Sequence, residues 1–173
     1  LPKRRIETVI QARGSCVNST TLKLEGDHES IPDGVQITCD LCVLATGSVP
    51  AMPPAFDIGS DRVMDSTGAL ALKDIPETML VVGGGYIGLE MGSVYAQLGS
   101  KVTVVELAEG LLPGADRDLV KPLAKRFDKL CEGRVLTNTK VGSLTEVGDK
   151  VEVTFEGNGH FGHELFDRVL VSI

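Results

Sequence analysis

The sequence is poor in aromatic residues, with no Trp, two Tyr and five Phe among 173 residues. So few rings argue against a surface that stacks the bases of single-stranded nucleic acid. Basic residues are also in the minority, since 17 Lys and Arg against 24 Asp and Glu leave a formal net charge of −7. No apolar run approaches the roughly 18 residues that indicate a membrane-spanning helix. We therefore expect neither a nucleic-acid partner nor a membrane.

The two ends of the chain lack the usual signs of a domain boundary. The sequence begins at Leu1 without a Met or a secretory leader, and it stops at Ile173 inside an apolar run typical of a strand. We therefore expect a piece of a longer protein. A reducing compartment, the cytoplasm, is predicted for its four scattered cysteines, Cys16, Cys39, Cys42 and Cys131.

Cys39 and Cys42 have the CxxC spacing of redox dithiols and zinc knuckles. They lie within an apolar run, residues 37–45, which predicts a buried strand and not the helix N-terminus that lowers a thiol pKa. Residues three apart on a strand point to opposite faces, and the pair His160 and His163 is distant in sequence. We therefore predict two small buried hydrophobic residues and no metal site.

The first 50 residues read as β-structure. Alternating apolar and polar residues predict strands at 7–17 and 20–25 with a turn at residues 18–19, and a further strand at 35–44. Three prolines within residues 50–54 cannot lie in a helix interior or a central strand. The chain is accordingly predicted to divide into a β-rich unit, 1–50, and a second domain, 51–173.

The second part alternates strands with helices, which predicts an α/β fold with a central parallel sheet. Apolar residues at helical spacing predict helices over residues 87–98 and 118–131, followed by Gly99 and Gly133. Strands are predicted at 79–82 and 101–105. Three more strands, predicted at 134–147, 151–155 and 168–173, supply a β-meander and the last strand.

A G-x-G-x-x-G motif lies between the first of these strands and the first helix. Gly83 permits a tight turn, Gly85 lets the backbone approach a pyrophosphate at the helix N-terminus, and Gly88 lets the helix pack closely on the strand. Glu106 ends the next strand, 23 residues after Gly83, where an acidic side chain accepts hydrogen bonds from the adenosine ribose. Because its carboxylate would repel a 2′-phosphate, and the first Arg after it is Arg117, the motif predicts NAD over NADP.

The residues around this motif resemble a known family. Residues 82–100, with Val82-Gly-Gly-Gly-Tyr-Ile-Gly-Leu-Glu, resemble the NAD-domain signature of the flavoprotein disulfide reductases. Residues 65–70 and 114–121 are similar to the dihydrolipoamide dehydrogenases within that family. The resemblance implies a Rossmann-like NAD-binding domain joined to a β-rich fragment of the flavin (FAD) domain.

The resemblance also implies roles for individual residues. Glu90 is expected near the nicotinamide, although a carboxylate in the first turn of a helix is favoured by the helix dipole anyway. Val141 is expected to line the adenine pocket, or else to be an ordinary core valine. The remaining cofactor contacts implied are the phosphate loop, Gly83, Gly84, Gly85, Tyr86, Ile87 and Gly88, and three flavin contacts, Thr46, Gly47 and Ser48.

Two parts of such an enzyme are expected to lie outside this chain. The sequence has no C-x₄-C redox pair, and the family's catalytic His–Glu pair belongs to a C-terminal dimerisation domain.

The resemblance implies a parent that passes electrons from dihydrolipoyl groups through a protein disulfide and FAD to NAD. It also implies that the parent's partners are the lipoyl domains of a 2-oxoacid dehydrogenase complex and a homodimer partner. We expect the chain alone to bind NAD(H) without catalysis. The alternatives are a mercuric or glutathione reductase-like parent, or a stand-alone nucleotide-binding module.

Overall fold

The computed structural model describes residues 9–26, 34–157 and 162–173. The chain forms two compact units, Leu1–Ser48 and Val49–Ile173. Within the described ranges, no helix is long and apolar enough to cross a membrane.

The first unit contains a three-stranded antiparallel sheet in the order β1-β2-β3, formed by Arg13–Asn18, Thr21–Glu25 and Gln36–Thr38. The side-chain oxygen of Asn18 accepts a hydrogen bond from the Thr20 N–H and closes the hairpin turn. The predicted hairpin is confirmed from Arg13 onwards, whereas the start of its first strand lies partly outside the described residues. Among the described residues of this unit, Leu24 alone is buried.

The strand predicted at 35–44 is wrong beyond Thr38. Backbone pairing ends where the Cys39 N–H donates to the Thr20 carbonyl, and no described strand pairs with the residues that follow. The apolar run after it is exposed, with Leu41 at 89%. The prediction of two buried cysteines is therefore also wrong: Cys39 is half-buried and Cys42 is exposed. An apolar pattern predicts a buried strand only where neighbouring strands are present to cover it.

The second unit is built on a five-stranded parallel sheet in the order β4-β11-β5-β6-β7. The strands predicted at 79–82, 101–105 and 168–173 are confirmed with small shifts, and β4 was not predicted. The five strands are Val63–Met64 (β4), Thr78–Val82 (β5), Lys101–Val105 (β6), Val135–Leu136 (β7) and Arg168–Val171 (β11).

In the described part of this unit, three helices accompany the sheet, Ser66–Leu70 (α1), Tyr86–Gln97 (α2) and Arg117–Leu130 (α3). The predicted helices at 87–98 and 118–131 are confirmed to within one residue, whereas the short α1 was missed. Gly99, with φ +109°, ends α2 as predicted. Its N–H donates to the Ala96 carbonyl and the Ser100 N–H donates to the Tyr95 carbonyl, which is the Schellman pattern.

A three-stranded antiparallel meander, in the order β10-β9-β8, is formed by Lys140–Val147 (β8), Lys150–Glu156 (β9) and Gly162–Phe166 (β10). The single strand predicted at 134–147 is wrong, because the chain leaves the parallel sheet after β7 and enters the meander at β8. The break falls at Asn138, which has φ +50° and donates its N–H to the Ala108 carbonyl. The alternation predicted for 151–155 is confirmed in β9.

The parallel sheet has an apolar core on each face. Along β5, Met79 and Val81 face the core that contains the helices, whereas Leu80 and Val82 face the core that contains the meander. This arrangement follows from the period of two in a strand, and it explains why β5 is a continuous apolar run.

Asp167 ties the meander to the parallel sheet between β10 and β11. Its carboxylate accepts hydrogen bonds from the N–H and the hydroxyl of Thr78, both at 2.8 Å, and from the Lys150 ammonium at 2.8 Å. Burial raises the pKa of Asp167, but these hydrogen bonds outweigh burial and lower the pKa to about 2.

Candidate nucleotide-binding site

The glycine loop, residues 83–88, follows β5 at the carboxyl edge of the parallel sheet and includes the first three residues of α2. The strand order reverses at β5, since β6 and β7 lie on one side and β11 and β4 lie on the other. In open α/β sheets, ligands bind outside the carboxyl ends of the strands at such a switch point. The topology therefore singles out this loop.

Two glycines of the loop are required by close backbone contacts. Gly83 has φ +107°, and a Cβ there would lie 2.5 Å from the Ser172 carbonyl oxygen. A Cβ at Gly88 would overlap with the Gly83 carbonyl oxygen and lie 2.7 Å from the Ser172 Oγ. The tight turn and the close helix packing that the motif predicts are both present. Ser172 was missed by the sequence analysis, because nothing in the sequence pairs the end of β11 with this loop.

Gly85 is the N-cap of α2 and stands in open space. A Cβ there would meet nothing within 4 Å, so a ligand can approach the backbone closely. No side chain caps the N-terminus of this 12-residue helix. The first N–H groups of the helix and its dipole are therefore available to an anion.

Glu106 lies directly behind the loop, as its place at the end of β6 predicts. Its side chain is buried, at 9% exposure, and its two carboxylate oxygens accept hydrogen bonds from Gly84 and Ala108 N–H groups, each at 2.7 Å. Because a carboxylate offers about four acceptor positions, two of them can still serve ribose hydroxyls. The carboxylate thus fixes the loop and can also face a ligand.

A segment that the sequence analysis did not single out also packs against the glycine loop. The Leu112 N–H donates to the Gly84 carbonyl at 2.9 Å. A Cβ at Gly84 would lie 2.6 Å from Leu111 Cδ2 and 3.1 Å from both the Cβ and a carboxylate oxygen of Glu106, so a side chain there would displace Leu111. Leu111 gave no signal in the sequence, because it lies in a loop without periodicity.

Other predicted cofactor residues lie near the loop but face different spaces. Ile87 lines a cavity of about 250 Å³, together with Gly85, Ser66 and the last residues of the chain. Glu90 is exposed and lines a wider groove between α2 and α3. Tyr86, 69% exposed, lines both spaces.

The remaining predicted residues have different surroundings within their own units. Val141 is 6% exposed and belongs to the core beneath the meander. Thr46, Gly47 and Ser48 are exposed residues of the first unit and lie outside any helix or strand. Among the described residues, no group of His, Cys, Asp and Glu could hold a metal ion; His160 lies outside that part of the chain.

The geometry agrees with a family-level comparison. A family model described as pyridine nucleotide-disulphide oxidoreductase matches residues 3–173. The chain belongs to this family. The resemblance that the sequence predicted is confirmed, and so is the mixed α/β fold with a parallel sheet.

Relatives within the family are dihydrolipoyl dehydrogenases. The enzyme of Vibrio parahaemolyticus is 39% identical over 175 residues, which cover the whole chain and 35% of that enzyme. The enzyme of Geobacillus stearothermophilus is 42% identical over 132 residues, 76% of the chain and 27% of the enzyme. The crystal structure of LpdA from Mycobacterium tuberculosis matches 95% of the chain and 36% of its own, with a TM-score of 0.74 and 26% identity. The chain therefore spans about 35% of the first of these relatives.

Proposed function

We propose that the chain is the NAD(H)-binding segment of a dihydrolipoyl dehydrogenase, and that alone it binds NAD(H) without catalysis. The observation that carries this proposal is the buried Glu106 carboxylate hydrogen-bonded to the Gly84 N–H. This contact brings a ribose acceptor and a phosphate-binding loop together at one end of the sheet.

The phosphate half of the proposal rests on the start of α2. The exposed helix N-terminus attracts the pyrophosphate, while Gly85 leaves room for the backbone to approach it. The neighbouring contacts proposed for the cofactor are Gly83, Gly84, Tyr86, Ile87 and Gly88, with Glu90 towards the nicotinamide and Val141 towards the adenine.

The preference for NAD over NADP rests on charge. A 2′-phosphate would lie against the Glu106 carboxylate, where like charges repel. The first Arg after it, Arg117, donates its guanidinium hydrogens to backbone carbonyls of residues 111, 112 and 115. That guanidinium is therefore not free to neutralise a 2′-phosphate.

A second part of the proposal concerns the longer protein to which this chain would belong. We propose a cytoplasmic, homodimeric parent that oxidises dihydrolipoyl groups of a 2-oxoacid dehydrogenase complex. Its FAD would carry electrons from a protein disulfide towards NAD. Thr46, Gly47 and Ser48 would contribute one edge of that flavin site. In the described part of residues 1–48 these three residues are exposed and lie outside any helix or strand. Because they do not line an enclosed flavin pocket there, we expect the chain to purify without FAD.

The experiment is a calorimetric titration of the chain with NADH and with NADPH. The Glu106→Ala variant should bind NADH about ten-fold to a hundred-fold more weakly, because a hydrogen bond to a charged acceptor is worth about 1.5–3 kcal/mol. NADPH binding should weaken less, so the ratio of the two affinities narrows. Loop damage alone would weaken both ligands equally.

Glu109→Ala is the matched control, because Glu109 is an exposed acid three residues further along. It should leave both affinities unchanged. Wild-type chain that binds no NADH, or that binds NADPH equally well, would contradict the proposal.

A further inference from the structure

One guanidinium gathers three carbonyl groups of the loop between β6 and α3. Arg117 is the first residue of α3, and its Nη1 donates to the Leu111 carbonyl at 3.0 Å. Its Nη2 donates to the Leu112 carbonyl at 2.6 Å and to the Ala115 carbonyl at 3.0 Å, while Nε also reaches Ala115 at 3.1 Å. A planar fork of donors can serve several fixed acceptors at once, which a Lys ammonium on a flexible stem does less well.

The same loop, residues 107–116, is fastened to the glycine loop by the residues that Arg117 holds. Leu112 donates its N–H to the Gly84 carbonyl, and Leu111 is 3% exposed beneath Gly84. Gly84 in turn donates to Glu106. Arg117 is thus linked to Glu106, the proposed ribose acceptor, through Leu112 and Gly84 and not by a direct hydrogen bond.

Leu112 also has a backbone conformation that needs support. Its φ of +50° lies in the left-handed region, which is uncommon for a residue other than glycine. Such conformations persist where the surroundings over-determine them, and they cluster at binding sites. Here the N–H of Leu112 is held by Gly84 and its carbonyl is held by Arg117.

We propose that Arg117 is a positioning residue for the adenosine end of the nucleotide. By fixing residues 111–115 it keeps Leu112 against Gly84, and so keeps Gly84 and Glu106 in the arrangement that receives the ribose. Arg117 itself touches no ligand in this proposal. The inference rests on the proposed NAD(H)-binding function.

The test is the binding of ADP-ribose, which carries the adenosine and the pyrophosphate but no nicotinamide, to the 173-residue chain. Arg117→Ala should weaken ADP-ribose and NADH binding by the same factor, about ten-fold. Exchange of the Leu112 amide hydrogen should quicken, because Leu112 is no longer held against the Gly84 carbonyl that accepts this hydrogen. The melting temperature should change little, since Arg117 is exposed.

Lys121→Ala is the control for charge. Lys121 lies one turn further along α3 and pairs with Asp118 on the surface, so this variant also removes one positive charge from the helix. It should leave ADP-ribose affinity and Leu112 exchange unchanged. An equal loss in Lys121→Ala would reduce the Arg117 effect to long-range electrostatics and overturn the inference.

Arg117→Lys keeps the charge and serves as the second variant, including where the alanine variant does not fold. It should bind ADP-ribose with an affinity between those of wild type and Arg117→Ala, because an ammonium reaches fewer of the three carbonyls. Wild-type affinity in Arg117→Lys would show that charge alone suffices, and it would overturn the inference. If the wild-type chain binds no ADP-ribose, the proposed function is wrong. If it binds ADP-ribose but Leu112 exchange is the same in wild type and variants, only the positioning role of Arg117 is wrong.

Discussion

Leu80 and Leu41 both lie in apolar runs that the sequence predicts as strands, yet Leu80 is fully buried and Leu41 is 89% exposed. Leu80 belongs to β5, which has β6 on one side, β11 on the other and an apolar core on each face. Leu41 follows β3, where pairing has already ended. The difference shows that an apolar pattern indicates a segment that needs neighbouring strands and a core to cover it. Whether the segment is buried depends on whether the described residues provide those neighbours.

The largest contrast is expected in cysteine reactivity. Cys131, at the end of α3, is 3% exposed, and burial, aided by the nearby Asp128 charge, raises its thiol pKa from 9.0 to about 11. At pH 8 that shift alone lowers the thiolate fraction about a hundred-fold. Cys42 is exposed in the first unit. Mass-spectrometric alkylation of the native chain should label Cys42 quickly and Cys131 only after unfolding; equal labelling rates would contradict the comparison.

Truncation of the two leucines is the next contrast. Leu80→Ala should lower the free energy of unfolding by about 3 kcal/mol, because it leaves a cavity against the meander. Leu41→Ala should change it by less than about 0.5 kcal/mol, because the side chain is already in water. Urea unfolding of both variants measures the difference. A large loss in Leu41→Ala would mean that residues 39–48 pack against something that this structure does not show.

Two glycines of the same loop separate stability from binding. Gly88→Ala should cost about 2 kcal/mol of unfolding free energy, since the new methyl meets the Gly83 carbonyl and α2 must move away from β5. Gly85→Ala should unfold like wild type, because its Cβ meets nothing, but it should bind NADH more weakly. Thermal unfolding and NADH titration of both variants decide this. Equal stability of the two variants would mean that the close packing at Gly88 is not required.

Asp167 gives a smaller, pH-dependent contrast within the second unit. The folded pKa of about 2 lies below its usual 3.8, so the carboxylate stabilises the fold fully above pH 4. This stabilisation fades as the pH falls from 4 towards 2. Asp167→Asn should therefore cost about 1–2 kcal/mol at pH 7. The cost should shrink on acidification in urea-unfolding measurements, and a cost that stays constant down to pH 2 would exclude the ionised carboxylate as its source.

The same comparison separates what the sequence could predict from what it could not. The glycine loop, Glu106, α2 and α3 were predictable because each depends on local rules: turn geometry, helix caps and apolar spacing. The two-residue β4 and the five-residue α1 are too short to carry a periodic pattern. The break at Asn138 was missed because it coincides with a positive φ and with a hydrogen bond to Ala108, thirty residues earlier, and no local pattern indicates either.

The candidate site shows the same limit. Gly83, Gly85, Gly88 and Glu106 follow a spaced motif, so the sequence alone indicated them. Ser172 and Leu111 contact the loop only through the fold, and Arg117 reaches it only through Leu111 and Leu112. No spacing in the sequence connects these residues to the loop. The structure also gives Val141 a core position, which leaves its predicted role towards adenine as a proposal.

Hydrogen exchange with and without NADH tests the central claim most directly, because it reports both units of the chain in one experiment. We predict that NADH slows exchange at the amides of Gly84, Gly85 and the first turn of α2. We expect no change at Thr46, Gly47 or Ser48. Protection confined to residues 9–48, or none in the glycine loop at a saturating NADH concentration, would contradict the assignment of residues 83–88 and Glu106 as the nucleotide site.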